Sequence, residues 1–187
     1  MFQDLFSPKS FGNSYNSYIE GYANLELDDG FFRPDSFLAR DLSVLMLAKQ
    51  LSENQNKGKT FRCLDLMAGC GIRSLRWGLE SYCFFNQTFD SNSNIHITVN
   101  DSDPNRSKVI NKNLRPLKKK GITVKYSCNL ADAVLAKSYL DKTFFDVIDI
   151  DAFGTPYNLL PLLIKVLKFD GILIISSTNS RLSSGHD

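Results

Sequence analysis

The chain has 187 residues, a length that suits one ordinary domain and is enough to bury a single core without disulfides. Apolar residues make up 43% and charged residues 22% of the chain, which excludes a collagen-like, low-complexity or wholly disordered protein. The 22 basic and 20 acidic side chains leave a net charge of +2. The overall charge therefore predicts neither a nucleic-acid nor a membrane partner, and any such signal has to be local.

The cysteines, the histidines and the N-terminus bear on metals, membranes and compartment. Four cysteines lie far apart with no Cys-x-x-Cys pair, and only His96 and His186 are available to join them, so we expect no metal site. The N-terminus has no signal-peptide pattern, and no apolar stretch reaches the roughly 18 residues of a membrane span. Free thiols without a secretion signal predict a reducing, intracellular and most simply cytoplasmic location, with no membrane partner.

Residues 1–60 are expected to form an N-terminal extension. Alternation of apolar and polar residues from Tyr22 to Leu27 predicts one arm of a hairpin whose other arm is Phe31-Phe32. Pro34 closes that segment, and apolar residues at helical spacing predict a helix over Phe37 to Leu51.

From residue 61 onward, short apolar runs alternate with helical periodicity, which is the pattern of βαβ units around a parallel sheet. The predicted strands are rich in β-branched or aromatic residues and cover Phe61 to Leu66, Ile95 to Asn100, Ile122 to Cys128, Phe144 to Ile150 and Ile172 to Ser177. The predicted helices lie between them, at Ile72 to Tyr82, Asn105 to Lys120, Ala131 to Leu140 and Asn158 to Phe169. A polar loop is expected over residues 86–94. These elements predict an α/β fold with a mostly parallel sheet, formed by residues 61–187.

A glycine-containing loop joins the first predicted core strand to its helix. Gly69 and Gly71 are spaced for a tight turn, where the backbone can approach a ligand closely. A dinucleotide-binding loop would carry a third glycine where this chain has Ser74, which weakens a nicotinamide interpretation. The spacing from Asp65 matches two of the three glycines found in S-adenosylmethionine enzymes. An ordinary strand-to-helix turn explains it as well.

Carboxylates follow the next two predicted strands. Asp101 is placed to accept hydrogen bonds from both hydroxyls of a ligand ribose. Asp103 precedes Pro104 and a helix, so a helix N-cap explains it better. Asp132 and Ala133 lie where an adenine amine would meet a carboxylate and a backbone N–H, although Asp132 is equally suited to start the following helix.

The most specific segment runs from Asp149 to Pro156, at the carboxyl end of the fourth predicted strand and beside the expected topological switch point. A carboxylate followed by a turn and an aromatic ring suits methylation of a planar exocyclic amine. The acid orients the amine and accepts its proton, and a ring such as Phe153 stacks on the base. A plain strand end explains Thr155 and Pro156, but it does not explain two aspartates in an apolar strand.

Several of these motifs together resemble the N-terminal half of the tRNA (guanine-26 N2) dimethyltransferase family. The matching segments are Glu20-Gly21, Phe31-Phe32-Arg33-Pro34, Arg40-Asp41-Leu42-Ser43-Val44, Gly71-Ile72-Arg73-Ser74-Leu75-Arg76, Asn100-Asp101 and Asp149-Ile150-Asp151-Ala152-Phe153-Gly154-Thr155-Pro156. The resemblance implies a Rossmann-like class I S-adenosylmethionine-dependent methyltransferase fold. It also implies transfer of one or two methyl groups from that cofactor to guanine N2 in tRNA, expected at position 26.

Residue roles follow from the resemblance by position. It makes Arg40, Arg73 and Asp101 cofactor contacts, together with Asp132 and Ala133 around the adenine. It makes Asp151 the catalytic acid/base, and it places the substrate guanine between the rings of Phe31 and Phe153. Core packing of the two phenylalanines and solvent-exposed helix positions for the two arginines are the alternatives.

The chain also departs from the family pattern. Ala152 stands where the family has proline, Arg33 where it has asparagine and Asn179 where it has aspartate. We expect the methyltransferase core to stop after its fifth strand and the family's C-terminal tRNA-binding domain to be absent. An exposed fifth-strand edge would favour self-association or a partner that supplies strands.

One segment carries a local nucleic-acid signal. Residues 104–125 contain eight basic side chains and no acidic one. Such a run suits contact with a phosphate backbone, and a solvated helix face explains it equally well. Besides methyl transfer, two functions remain open from the sequence: a non-catalytic RNA-binding or interaction module, and a nicotinamide-dependent oxidoreductase.

Overall fold

The computed structural model of the protein describes residues 10–11, 17–54, 60–83 and 95–177. The polar loop expected over residues 86–94 lies outside these ranges, and so does Asn179.

Three antiparallel strands come first in the chain, β1 (Ser10–Phe11), β2 (Ser17–Glu20) and β3 (Ala23–Glu26). The prediction that Tyr22 to Leu27 pairs with Phe31-Phe32 is wrong. The strand pairs with the segment before it, because Gly21, at a φ of 56°, forms a two-residue turn with Tyr22 that reverses the chain at once. Phe31-Phe32 lies in the loop that follows β3.

The helices of the described ranges are α1 (Phe37–Asn54), α2 (Ile72–Glu80), α3 (Arg106–Asn113), α4 (Arg115–Lys119), α5 (Ala131–Leu140) and α6 (Leu160–Val166). The single helix predicted over Asn105 to Lys120 is two helices. Pro116 has no N–H to continue the ladder, so the first helix stops at Asn113 and a second begins beyond Leu114. None of these helices is long and apolar enough to cross a membrane.

The central sheet contains five parallel strands, β4 (Phe61–Asp65), β5 (Ile95–Asn100), β6 (Thr123–Ser127), β7 (Phe145–Ala152) and β8 (Leu167–Ser177). Their order across the sheet is β6-β5-β4-β7-β8. Strands after β4 build outward first on one side and then on the other, so the switch point lies between β4 and β7. The predicted α/β fold with a parallel sheet is confirmed.

Two apolar cores cover the two faces of this sheet. On one face α1, α2, α3 and α4 pack with the hairpin against side chains such as Ile97, Val99 and Val147. On the other face α5 and α6 pack against Ile148 and Ile150. Because both faces are covered, the neighbouring residues Val147 and Ile148 of β7 are both fully buried. Strand β5 instead alternates: Ile95, Ile97 and Val99 are buried, whereas His96 and Thr98 are half-buried.

A buried cluster of five charged side chains joins the hairpin to α1 and α2. We call it the ion cluster; its members are Glu20, Arg40, Asp41, Arg76 and Glu80, and each is at most 5% exposed. The Glu20 carboxylate accepts from both Nε and Nη2 of Arg40, at 2.8 and 2.6 Å, and from Arg76 Nη1 at 2.7 Å. Arg76 also pairs with Asp41 and with Glu80, each at 2.7 Å.

Burial and the neighbouring guanidinium groups shift the pKa values of Glu20 and Glu80 in opposite directions. Burial works to raise the pKa of Glu20, but Arg40 and Arg76 outweigh it, so the pKa lies below the ordinary value. For Glu80 burial outweighs Arg76, so the pKa is raised. The hairpin therefore adheres to the core through charge-assisted hydrogen bonds as well as through apolar packing.

Glu20→Gln tests how strongly the ion cluster holds the fold. The amide cannot satisfy two buried guanidinium groups, so we expect the free energy of unfolding to fall by about 3–5 kcal/mol. Urea denaturation measures this loss. The control is Glu26→Gln, which removes an exposed pair with Lys112 and is expected to cost about 0–1 kcal/mol. Equal losses in the two variants would contradict the structural role of the ion cluster.

Candidate active site

A pocket opens at the carboxyl ends of β4 and β7, which is the switch point of the sheet. The loop after β4 forms its floor from Met67 to Cys70, and the end of β7 forms one wall with residues 151–153. The loop between β3 and α1 forms the opposite wall. The pocket is therefore built where open α/β sheets hold their ligands.

The glycine loop turns from β4 into α2 through two residues with positive φ, Gly69 at 58° and Gly71 at 82°. Other residues adopt this conformation only with strain. The Ala68 N–H donates to Asn100 O at 2.9 Å, which ties the loop to β5. A side chain at position 69 would meet no described atom within 4 Å, so the loop backbone faces open space.

Asp101 lies at the end of β5 and touches this loop. Its Oδ2 accepts from the Gly69 N–H at 2.8 Å, and its Oδ1 accepts from the Asp103 N–H at 3.0 Å. Asp103 in turn accepts from the Asn105 N–H at 2.9 Å, in the turn that precedes α3. The N-cap of α3 is Asn105, so the prediction of Asp103 as the N-cap is wrong. Asp101 is thus the carboxylate beside the open glycine backbone.

Arg73 is shared between two aspartates of β7. From α2, its Nη1 donates to Asp149 Oδ2 at 3.2 Å and its Nη2 to Asp151 Oδ2 at 3.0 Å. Asp149 is fully buried, whereas the Asp151 side chain is 42% exposed. Among the described residues Asp151 Oδ1 has no hydrogen-bond partner, so one oxygen of this carboxylate is fixed and the other faces the pocket.

Asp149 and a third carboxylate, Asp65, crowd the same guanidinium from inside the protein. Burial raises the pKa of Asp149 to about 7, although Arg73 opposes the shift and Ser43 Oγ donates to Oδ2 at 3.1 Å. Burial likewise raises the pKa of Asp65 to about 6, against two hydrogen bonds from Ser74. Asp149 Oδ1 is buried without a hydrogen-bond partner in the described structure, which fits a carboxyl group that is protonated near neutral pH.

Phe31 and Phe153 face each other at the mouth of the pocket. Their ring centroids are 4.9 Å apart and the rings cross at 71°, an edge-to-face contact. They are 58% and 74% exposed, so neither belongs to the core. A base stacked between parallel rings needs about 7 Å, twice the ordinary carbon contact distance, so the rings must part before a base can enter.

Arg40 forms part of the pocket wall, but most of its N–H groups donate hydrogen bonds to other groups of the protein. Besides its two bonds to Glu20, it donates to Arg33 O at 3.1 Å and to Pro34 O at 3.0 Å. These carbonyls belong to the loop that carries Phe31. In this structure Arg40 therefore holds that loop in place.

Eight site residues were predicted from the sequence, and the structure brings six of them together. Five line the same pocket: Phe31, Arg40, Arg73, Asp151 and Phe153. Asp101 joins them through Gly69. Asp132 and Ala133 do not line the pocket; they lie exposed in the first turn of α5, where Asp132 Oδ1 accepts from the Ala133 N–H at 2.8 Å. The roles of all eight stay predictions.

Sequence reasoning assigned no role to three residues of the site. Asp149 and Ser43 lie in matched motifs, and Glu20 begins the first of them, yet none was given a partner. The available signal was a polar side chain inside an apolar segment, as Asp149 is between Ile148 and Ile150. The sequence does not show that Glu20 and Asp149 find their partners on α1 and α2, far away along the chain, or that Ser43 of α1 donates to Asp149. Among the described residues, no group of three or more His, Cys, Asp or Glu side chains is arranged so that it could hold a metal ion.

Comparison with known proteins places this geometry in a family. A family model described as N2,N2-dimethylguanosine tRNA methyltransferase matches residues 22–187. The chain belongs to this family. The resemblance seen in the motifs is thereby confirmed.

Curated relatives and solved structures agree with this assignment. The chain is 28% identical over 159 residues to a tRNA (guanine(26)-N(2))-dimethyltransferase of Methanocaldococcus jannaschii, an alignment that covers 84% of this chain and 39% of the relative. The enzyme of the same name from Haloquadratum walsbyi is 30% identical over 134 residues, covering 69% and 30%. The chain thus spans about two fifths or less of the length of these relatives.

The fold resembles those of S-adenosylmethionine-dependent methyltransferases. A structure described as a SAM dependent methyltransferase from Agrobacterium tumefaciens superposes with a TM-score of 0.64 at 11% identity, covering 88% of this chain and 53% of that one. A protein-L-isoaspartate O-methyltransferase of Plasmodium falciparum, solved with S-adenosyl-L-homocysteine, gives 0.56 at 17% identity, covering 88% and 67%. The predicted Rossmann-like methyltransferase fold is confirmed.

The raised pKa values of Asp149 and Asp65 predict how stability depends on pH. Between about pH 4 and pH 7 the folded protein binds more protons at these two groups than the unfolded chain does. Their contribution to the free energy of unfolding therefore rises as the pH falls from about 8 to about 5. Asp149→Asn keeps an acceptor for Ser43 and removes one of the two groups, so the change in Tm between these pH values should shrink.

Thermal unfolding of both proteins at about pH 5 and about pH 8 measures this difference. Asp141→Asn is the control, because Asp141 is an exposed carboxylate paired with Lys137. It should retain the pH dependence of the wild type. An Asp149→Asn curve parallel to that of the wild type would show that Asp149 does not titrate in the folded state.

Proposed function

We propose that this chain is the catalytic part of an S-adenosylmethionine-dependent methyltransferase that acts on the N2 amine of guanine in tRNA, at position 26. The observation that carries this proposal is the placement of Asp151. A half-exposed carboxylate, oriented by Arg73, lies in one pocket with two exposed aromatic rings. The relatives' names supply the substrate, a specific guanine of tRNA.

The residues around the glycine loop fit the proposed cofactor. The open backbone at Gly69 leaves room for close approach. We propose that Asp101, which is hydrogen-bonded to Gly69, accepts the two ribose hydroxyls. Asp132 and Ala133 are proposed to meet the adenine, and Arg73 and Arg40 to line the methionine end. When bound, S-adenosylmethionine supplies a methyl group on a positively charged sulfur.

The chain's own groups account for the rest of the chemistry. The lone pair of a guanine amine is delocalised into the ring, so holding the amine in line with the methyl group does much of the work. Phe31 and Phe153 hold the base plane, and Asp151 Oδ1 accepts the amine hydrogen bond. As the new nitrogen–carbon bond forms and the sulfur–methyl bond breaks, with S-adenosylhomocysteine as the leaving group, Asp151 would stabilise the developing positive charge and take up the proton that the nitrogen loses.

Two further properties complete the proposal. The four cysteines are all free thiols, which supports a reducing compartment and, we propose, the cytoplasm.

The outer edge of β8 has no neighbouring strand in the described sheet, and we propose it as the place for self-association.

Calorimetric titration with S-adenosylhomocysteine tests the cofactor pocket. We expect micromolar binding and no heat with NAD. Asp101→Ala removes charge-assisted hydrogen bonds and should weaken binding by about 10- to 100-fold. The matched control is Asp103→Ala, two residues away and bonded to Asn105, which should bind as the wild type does. A folded chain that binds no S-adenosylhomocysteine would favour a non-catalytic module, and selective NAD binding would favour an oxidoreductase.

Asp151→Asn tests the catalytic assignment. Transfer of radioactive methyl groups to tRNA should fall by about 100- to 10,000-fold, because the amide cannot accept the proton. Affinity for S-adenosylhomocysteine should change far less. Asp170→Asn is the control, because Asp170 has a left-handed φ of 63° that asparagine tolerates and lies at the opposite end of β8. An Asp151→Asn rate equal to that of the wild type would refute the assignment.

A further inference from the structure

The charges of this protein are segregated along the chain. Eight of its 22 basic side chains lie in residues 104–125, where no acidic residue occurs. The other 14 basic side chains are distributed among all 20 acidic ones. A chain whose net charge is +2 therefore combines one strongly positive segment with a negative remainder, which orients an approaching polyanion.

The fold turns this segment into a surface. Helices α3 and α4 bury Val109, Ile110, Leu114 and Leu117 against the core, so their basic side chains point outward. Six basic side chains of this segment are exposed and have no ion pair with any described residue; we call them together the basic face. They are Lys108, Arg115, Lys118, Lys119, Lys120 and Lys125.

The two remaining basic residues of the segment, Arg106 and Lys112, form ion pairs that connect the segment to β3 and to the loop after it. Arg106 pairs with Asp28, and Lys112 pairs with Glu26. Both carboxylates belong to β3 or to the loop after it, the loop that carries Phe31. The paired cations therefore serve the structure, and the six others are left for an external partner.

The dimensions of the basic face suit a nucleic-acid backbone. At 1.5 Å per residue α3 rises by roughly 12 Å and α4 by roughly 7 Å, so their exposed cations together can meet more than one phosphate. The face begins on α3, the helix that follows the carboxyl end of β5, and continues to Lys120, shortly before the amino end of β6.

We propose that the basic face binds the phosphate backbone of the tRNA and so holds its target guanine at Phe31 and Phe153. The proposal rests on the function proposed above. RNA is the favoured partner because the cations carry no base-reading geometry and extend away from a pocket that fits a base, so they supply affinity while the pocket supplies specificity.

The test is the salt dependence of tRNA binding, measured by fluorescence anisotropy over a range of KCl concentrations. The variant carries Lys118→Gln, Lys119→Gln and Lys120→Gln. If each lysine meets one phosphate, the slope of log Kd against log [KCl] should fall by about 2 to 3. The affinity should fall at least about tenfold at physiological salt.

The control carries Lys137→Gln, Lys142→Gln and Lys165→Gln, exposed lysines around α5 and α6 on the other face of the sheet. It has the same net charge as the first variant, so it should keep the wild-type slope. Equal slopes in the two variants would overturn the proposal. It would also be overturned if both variants bound tRNA with the affinity and slope of the wild type. Binding to anionic phospholipid vesicles in place of tRNA would also overturn it, in favour of a membrane surface.

Binding of S-adenosylhomocysteine is measured on all three proteins and should be unchanged by either set of substitutions. If the homocysteine fails to bind the wild type, the proposed methyltransferase function fails. If it binds while the slopes stay equal, only the basic face is refuted. Thermal unfolding confirms that both variants are folded.

Discussion

The Glu20 carboxylate, bound at once by Arg40 and Arg76, is the contact on which the arrangement of the pocket depends. It lies on β2, whereas its two partners lie on α1 and α2. A buried carboxylate with two guanidinium partners is stable only while both remain in place, because an unpaired buried charge costs several kcal/mol. The hairpin therefore cannot shift relative to the core without breaking this group. Arg40 extends the constraint to the carbonyls at Arg33 and Pro34.

Carboxylates and a guanidinium also meet at the pocket end of the sheet, but there three carboxylates share one guanidinium. One guanidinium, Arg73, faces Asp149 and Asp151 directly, with Asp65 close behind. Three carboxylates around one cation in a buried setting favour uptake of a proton, and burial raises the pKa of both Asp149 and Asp65. Asp151 is the half-exposed member of the three and keeps its ion pair with Arg73.

Much of the fold follows from local sequence, because buried parallel strands and their helices have distinct apolar patterns. The strand Ile95–Asn100 and the helix Ala131–Leu140 have the predicted bounds. The hairpin was assigned to the wrong partner because alternation marks a strand without saying which neighbour it joins; the turn at Gly21 decides that. Strand β8 begins five residues before the predicted start, at Leu167, because α6 passes directly into it.

The sequence predicts those site residues that belong to a recognisable motif. It does not predict the contacts of a residue whose partners lie on other elements of the fold. Asp151, Phe153 and Phe31 were named from motif position, and the structure gathers them in one pocket. Arg40 was named as a cofactor contact, but its contacts with Glu20 and two carbonyls depend on which helix faces which strand. Such long-range pairing is a property of the fold, and no local spacing encodes it.

The contact between Phe31 and Phe153 fits a site that opens by rotation of side chains. An edge-to-face pair is worth about 0.5–1.5 kcal/mol, whereas stacking a base on an aromatic ring is worth about 1–3 kcal/mol. If a base enters between the two rings, as proposed, it replaces one ring contact by two, and the exchange favours the base. The loop that carries Phe31 is held at both ends, by Arg106 on Asp28 and by Arg40 on Arg33 and Pro34. Since these anchors fix the backbone, the rings can part while the walls of the pocket stay in place.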